Sequence, residues 1–514
     1  MTHPAANILA IYRPWPSALL VLLACTAAFW IWLGHAGFGS TEGHRVIPAW
    51  EMLDSGEWWL PHLFERVYLR KPPGMPWAIA AFSTFFGRTE FAARAVSAAA
   101  ATASALLALA FARRWFGPRA GLAAGFAQAL MPVWLTFARS AEIESLHTLA
   151  CQCAVFLTLD LGIRPRAFVL PRALALALAI TAAGLVKGPA GAPVLLGALA
   201  AFPVALRSWR ALARPAIWAG VGLGTAALAA SYLTIKARLD ASGLVPVLQD
   251  PSEFVPSLSR IPVILRLFPA ALLQGLPITG AVALALWPQT RTRDAPRSAQ
   301  LGVPDDAGTI AQALALTFLF SIALLMVSGV SNPRYALPAL TPLAPLGGWT
   351  WAGRLGLFDG WRKRLATWTS FWSLWALPAL ALLFVGVYVF GFMEPRRAEV
   401  SGKVTGEALA ATLPDGAILY ADWLIEARPE ILLYARTRAA ALGKSVRVKW
   451  VDLDEFNPPS SEHAFLAVRD DANGNELRRP GVEALAQTWP RVFAGTANKG
   501  KYSFIVLERT QSPQ

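Results

Sequence analysis

Apolar windows long enough to cross a bilayer recur along the first three quarters of this 514-residue chain, and no other feature limits its fold as much. A hydrocarbon core of ~30 Å needs about 20 apolar residues as helix, and every backbone N–H and C=O inside it must be satisfied within the structure. The period-two alternation of a membrane β-strand is absent, so helices are the expected solution. The windows fall at 17–36, 91–112, 120–137, 146–162, 173–186, 190–206, 215–235, 263–287, 309–329, 336–352 and 369–392. Mean hydropathy is +0.45, and 55% of residues are hydrophobic against 15% charged. The apolar run after MTHPAANILAIYRPWP ends without a small-residue cleavage site, so 17–36 reads as a retained span. The segment PPGMPWAIAAFSTFFG (72–87) is too short to cross and reads as an interfacial helix anchored by Trp77 and its phenylalanines.

The expected fold is therefore an all-α polytopic membrane domain over 1–392, with about 11 and at most 13 transmembrane helices. Residues 37–90 form an outer loop with interfacial helices, and 393–514 form a small C-terminal α/β domain. In that tail, GAILYAD (416–422), SVRVKWVDL (445–453), HAFLAVRD (463–470) and YSFIVLER (502–509) read as strands. The stretches 423–442 and 480–489 have helical spacing. The tail has no glycine-rich phosphate loop, metal-ligand spacing or nucleophile motif, and its expected role is to cover an outer cavity or hold an acceptor.

The net charge of +14 does not mark a nucleic-acid binder. Residues 393–514 carry 16 basic and 16 acidic side chains, so the whole excess lies in the membrane part. There it gathers in RRWFGPR (113–119), RPRAFVLPR (164–172), RSWRALAR (207–214), the 288–308 loop with Arg291, Arg293 and Arg297, and RKR (362–364). By the positive-inside rule these loops are cytoplasmic, which puts the N-terminus inside and the C-terminal domain outside. Cys25, Cys151 and Cys153 lie in apolar spans and read as small buried hydrophobes.

The opposite loops carry charge of both signs. FARSAEIESLH (137–147) places Arg139, Glu142 and Glu144 between two apolar runs, and the other outer turns hold Glu42, His44, Lys71, Lys187 and Arg334. Solvation of loops accounts for any one of these. Mixed charge at one end of an apolar bundle is better accounted for by a polar cavity at the outer membrane face. Glu142 and Glu144 are two residues apart and cannot share a helix face, so one of them is read as merely solvated.

Four stretches resemble the bacterial protein-mannosyltransferase and aminoarabinose-transferase family. They are TEGHRVIPAWEMLDSGEWWLPHLFERVYLRKPPGMPW (41–77), TEFAARAVSAAAATASALLALAFARRWFG (89–117), LVKGPAGAPVLL (185–196) and NPRYALPALTPLAPLGG (332–348). The resemblance covers about residues 17–350 in the correct order. It implies a GT-C membrane glycosyltransferase of a bacterial inner membrane, using a polyprenyl-phosphate sugar donor and a lipid, protein or glycan acceptor. It further implies Glu42 as the base or principal carboxylate, Glu144 as the acceptor- or metal-positioning acid, and Lys71 as a phosphate contact. Arg139, Lys187 and Arg334 would surround the phosphate, and His44, Arg70, Glu142 and Tyr335 complete the substrate-binding candidates. A divalent metal ion, if used, would be held by Glu42 and Glu144. The chain departs from the family at Thr41, where an Asp is usual, at Arg70, where an acid often precedes KPP, and at Glu144, which stands in register with an Asp. The chemistry itself needs a base for the acceptor hydroxyl and cations for the departing phosphate. A transporter or lipid flippase is the competing class, although no repeat symmetry is visible. A non-catalytic lipid-binding relative is the third reading.

Overall fold

The computed structural model describes residues 14–39, 41–163, 169–248, 261–275, 278–286, 306–330, 332–353, 379, 382–454, 456–459, 462–471, 474–497 and 501–509. The expected basic loop at 362–364, most of the one at 288–308 and most of the expected 369–392 span lie outside these residues. The chain divides into two compact units. The first comprises Met1–Ile31, Ala95–Lys236 and Gln249–Val389, and the second Trp32–Arg94, Ala237–Leu248 and Phe390–Gln514.

Five helices are long and apolar enough to cross a membrane: Glu90–Phe116, Ile143–Ile163, Val169–Ala205, Pro215–Ser242 and Ala307–Val327. A bent pair, Pro118–Leu130 and Pro132–Ala138, passes the same test together with a 59° break and counts as a sixth if it is one broken span. The break has a local cause: Pro132 removes an N–H and drives Met131 to an extended ψ of 124°. The protein is thus a polytopic membrane protein with five to six such helices among the described residues, fewer than the eleven spans expected. Expected spans 263–287 and 336–352 are here short helices, Ile261–Leu265, Leu267–Gln274, Gly280–Leu286 and Leu343–Gly353.

The 37-residue segment Val169–Ala205 is too long for one crossing, since ~1.5 Å per residue would carry it well past a ~30 Å core. It doubles back. Val169–Lys187 ends at Gly188, whose φ of +63° favours glycine, and a 3₁₀ turn Gly188–Gly191 leads into Ala192–Ala205. Gly191 abuts His147 and Cys151 near the start of helix Ile143–Ile163, whereas Phe202 meets Gly162 near its end. The second leg therefore runs parallel to that helix, and the first, joined to it by a short connection, runs back along it. Small residues set the spacing: a Cβ on Gly197 would collide with Ser321 Oγ of helix Ala307–Val327.

The second unit begins with helix Gly43–Ser55, stopped by Gly56 at φ +72°. A two-residue hairpin follows, β1 (His62–Leu63) and β2 (Arg66–Val67), and then helix Gly74–Phe86, with Phe85 and Phe86 exposed. Its sheet uses β3 (Ile418–Ala421), β4 (Arg447–Trp450), β5 (Ala464–Asp471), β6 (Gly474–Asn475), β7 (Arg491–Ala497) and β8 (Tyr502–Glu508). The order is β4-β3-β5-β8-β7, with β3 parallel to β4 and β5, β8 antiparallel to β5 and β7, and β6 paired to the end of β5. Ile418, Leu466, Val468, Val482, Trp489 and Ile505 form its core. Sequence reading missed β7 (RVFAGTA), whose Gly495 lets Phe504 of β8 pack onto its backbone. The expected 423–442 helix is broken into Trp423–Ala427 and Pro429–Ala441, because Pro429 excludes a helical Arg428.

Candidate functional site

Within the membrane unit, the reversal at Gly188 brings four expected site residues together. Glu144 lies in the first turn of helix Ile143–Ile163, and Lys187 closes helix Val169–Lys187. Each charge suits its own helix end, an acid at the N-terminus and a cation at the C-terminus. Because the two helices are antiparallel neighbours, these ends coincide. Lys187 Nζ sits 3.2 Å from Glu144 Oε1, and both side chains are buried. Arg334 Nε lies 3.7 Å from the same oxygen but is 38% exposed, so it links the buried pair to the outside. Tyr335, next in the 3₁₀ helix Pro333–Leu340, offers its ring to Lys187 Nζ at 4.1 Å. Asn332 caps that helix, its Oδ1 accepting from Arg334 N at 3.2 Å, which fixes the start of the Arg334–Tyr335 pair.

The other charges of the FARSAEIESLH stretch make contacts of their own, and Glu142 also acts electrostatically on Lys187. Arg139 was expected to face phosphate. It is instead fully buried and donates to Ala28 O (3.2 Å) and Ile31 O (2.7 Å), carbonyls at the end of the first apolar helix. A helix end leaves such carbonyls without intrahelical donors, and a buried guanidinium serves them. Glu142, read as a solvated charge, is buried, and its backbone carbonyl accepts from Ser97 Oγ at 3.1 Å. His147, passed over in the sequence, stands one turn beyond Glu144 on the same face, with Nε2 3.6 Å from Cys151 Sγ.

The second unit holds the other expected residues. Glu42 accepts from Arg94 through both oxygens, at 2.8 and 2.9 Å, and from Gly39 N at 3.0 Å. The solvated-loop alternative for Glu42, pairing with His44 or Arg45, gives way to this pair, buried to 5% and 1% exposure. Arg94 also donates to Leu33 O, Ala36 O and Gly37 O, so all five N–H groups of its guanidinium are used. A lone arginine in an apolar helix was the signal in the sequence.

His44 and Arg70 both meet the C-terminal domain at Glu426. His44 Nε2–H donates to Glu426 O at 2.8 Å, and Arg70 forms an ion pair with the Glu426 carboxylate. Burial, with help from Arg45 and Arg70, pushes the His44 pKa down to about 3, so the ring is neutral at pH 7. Glu51 is paired with Arg436 at 3.2 Å, yet burial dominates and lifts its pKa to about 7. Lys71 is half-buried ahead of Pro72–Pro73 and helix Gly74–Phe86.

The donor sets do not fit a divalent ion. Glu42 is held by a bidentate arginine and Glu144 by a lysine, so a metal would have to displace a buried cation at either place. No group of three or more His, Cys, Asp or Glu side chains converges among the described residues.

The arrangement of apolar helices with a C-terminal sheet is shared with solved structures of known proteins. The structure of ArnT from Cupriavidus metallidurans bound to undecaprenyl phosphate aligns with a TM-score of 0.65 at 18% identity, covering 96% of this chain and 99% of that one. The apo structure of the same protein gives 0.64 at 19%, covering 99% and 100%. The family profile described as dolichyl-phosphate-mannose-protein mannosyltransferase matches residues 70–234. That range contains Arg70, Lys71, Arg139, Glu142, Glu144 and Lys187. The undecaprenyl phosphate-alpha-4-amino-4-deoxy-L-arabinose arabinosyl transferase of Pseudomonas savastanoi pv. phaseolicola is 36% identical over 106 residues, which span 20% of this chain and 20% of that protein. The chain resembles these transferases in sequence over part of its length, and the match spans about a fifth of the curated relative.

Proposed function

We propose that the protein transfers a sugar from a polyprenyl-phosphate donor to a hydroxyl-bearing acceptor at the outer face of a bacterial inner membrane. One observation carries this reading: a buried Glu144–Lys187 pair reached from outside through Arg334, at the reversal of two apolar helices. Charges at such depth are costly unless they serve a substrate or one another. Lys187 and Arg334 stand beside Glu144, with the Glu142 carboxylate also within electrostatic reach of Lys187, and the two cations are the groups that would face an anionic phosphate. In the step, the acceptor oxygen bonds to the sugar's anomeric carbon while the bond from that carbon to the phosphate oxygen breaks. Glu144 takes the acceptor proton, and Lys187 and Arg334 hold the negative charge left on the polyprenyl phosphate. Tyr335 fixes Lys187 from its ring face. Glu42 is assigned to holding the 33–42 segment through Arg94, since its oxygens are engaged by Arg94 and Gly39.

About eleven crossings, with the N-terminus cytoplasmic and the C-terminal domain outside, remain our topology. The reversal at Gly188 supports it by making Val169–Ala205 two legs. The test is release of free polyprenyl phosphate from a labelled lipid-linked sugar by the purified protein. Glu144→Gln should lower release by about two to four orders of magnitude, the range for a lost general base, with donor binding retained. Lys187→Met should weaken donor binding. Unchanged release in Glu144→Gln and unchanged donor affinity in Lys187→Met would overturn the assignment.

A further inference from the structure

The C-terminal domain contains a pocket of about 510 Å³ that the transfer reaction does not use, lined by Trp423, Ala427, Arg428, Arg469, Lys501 and Tyr502. Its walls come from well-defined elements. Trp423 opens helix Trp423–Ala427, Arg469 lies on β5, and Tyr502 begins β8 directly after Lys501. In the antiparallel β5–β8 pair Arg469 faces Phe504, which puts Tyr502 diagonal to Arg469 on the same face.

The chemistry is two aromatic rings and three cations. Trp423 and Tyr502 stand with ring centroids 5.6 Å apart at 58°. The Arg469 guanidinium carbon is 4.9 Å from the Trp423 ring and 5.5 Å from that of Tyr502, and Lys501 Nζ is 5.3 Å from Tyr502. Asp471 grips Arg469 through Nε (2.8 Å) and Nη2 (3.0 Å), which fixes the guanidinium plane, and among the described residues its Nη1 edge has no hydrogen-bond acceptor. Arg428 is committed to Glu430 and to Val400 O. Among the described residues no carboxylate pairs with Lys501. An arginine stacked on aromatics often only covers a sheet. Here the stack borders an open pocket, and two cations turn donor edges into it.

We propose that this pocket binds an anionic saccharide. A pyranose would lay its C–H face against Trp423 and Tyr502, and a phosphate or carboxylate on it would take the Nη1 edge of Arg469 and the Lys501 ammonium. The volume lies in the range of small-ligand sites. Aromatic faces with a cationic rim satisfy both halves of such a ligand, whereas an uncharged sugar or a bare anion would use only one.

The experiment titrates the full-length protein in detergent with glucose 6-phosphate, glucose, inorganic phosphate and uridine monophosphate, read by calorimetry. Glucose 6-phosphate should bind saturably and at least about tenfold more tightly than the other three, as expected when one charge-assisted contact is added. Lys501→Met, at an exposed position, should weaken it about tenfold, and Trp423→Ala should reduce it to the affinity of inorganic phosphate. Lys187→Met should leave it unchanged, which separates this pocket from the membrane cluster. Absence of saturable binding, equal binding of inorganic phosphate, tighter binding of the nucleotide, or wild-type affinity in Lys501→Met would each overturn the proposal. Polyprenyl phosphate release assayed beside it keeps the two readings apart: a transferase-dead protein that still binds glucose 6-phosphate refutes only the transferase assignment.

Discussion

Replacing Arg94 by Met tests the reassignment of Glu42 most directly. Arg94 is 1% exposed and its five N–H groups reach Glu42 twice and the carbonyls of Leu33, Ala36 and Gly37. Removing one partner of a buried ion pair costs about 3–5 kcal/mol, because the other charge stays buried. At roughly 2 °C per kcal/mol for a large unit, the melting temperature should fall by about 6–10 °C. Glu42→Gln should also lose stability, since its amide presents N–H toward the Arg94 donors. The double variant Arg94→Met/Glu42→Met should be no less stable than Arg94→Met alone, because no uncompensated charge remains. Fluorescence-detected size-exclusion chromatography after heating reads all of these in detergent. Single variants that melt within about 1 °C of wild type would refute the clamp. So would Glu42→Gln with full stability and release lowered a hundredfold or more, which would return Glu42 to the role of base.

Three further outcomes follow from the geometry. Gly188→Ala forces an L side chain into φ +63° at the helix reversal, costs about 1–2 kcal/mol, and should weaken donor binding along with thermal stability. A neutral His44 makes stability pH-dependent: its folded pKa near 3 lies below the ordinary 6.5, so between those values only the unfolded chain takes the proton. Stability from this group is intact above about pH 6.5 and falls by about 2 kcal/mol on going from pH 7 to 5. His44→Gln should therefore flatten the melting profile in that interval. Glu51, raised to about 7, acts in the opposite sense over the same window, losing stability as pH rises from 4.5 to 7, so the comparison must be variant against wild type. Finally, a single reactive cysteine at Ser503 or a reporter after residue 514 should label from outside intact cells, and labelling only after permeabilisation would invert the topology.

Much of the fold is legible in the sequence because membrane insertion is a local matter. A run of some 20 apolar residues must be helical, whatever its neighbours, since no water is present to satisfy its backbone. The alternating runs at 416–422, 445–453, 463–470 and 502–509 mark strands for a similar reason, as each needs one face in a core. The identity of Glu144, Lys187, Arg334 and Tyr335 as one group is also partly legible, because antiparallel helices joined by short connections return to the same end.

What tertiary structure decided is which charges have partners. Arg139 and Glu144 are five residues apart with the same expected surroundings, yet one serves the carbonyls of Ala28 and Ile31 and the other joins Lys187. Glu42 could have met solvent, His44 or substrate, and only the approach of Arg94, 52 residues away, assigns it. Nor could sequence join Arg70 and His44 to Glu426, more than 350 positions distant. Hydrophobic pattern acts through the solvent around a segment and is written into that segment. An ion pair depends on where two backbones come to lie, and that is fixed by the packing of everything between them.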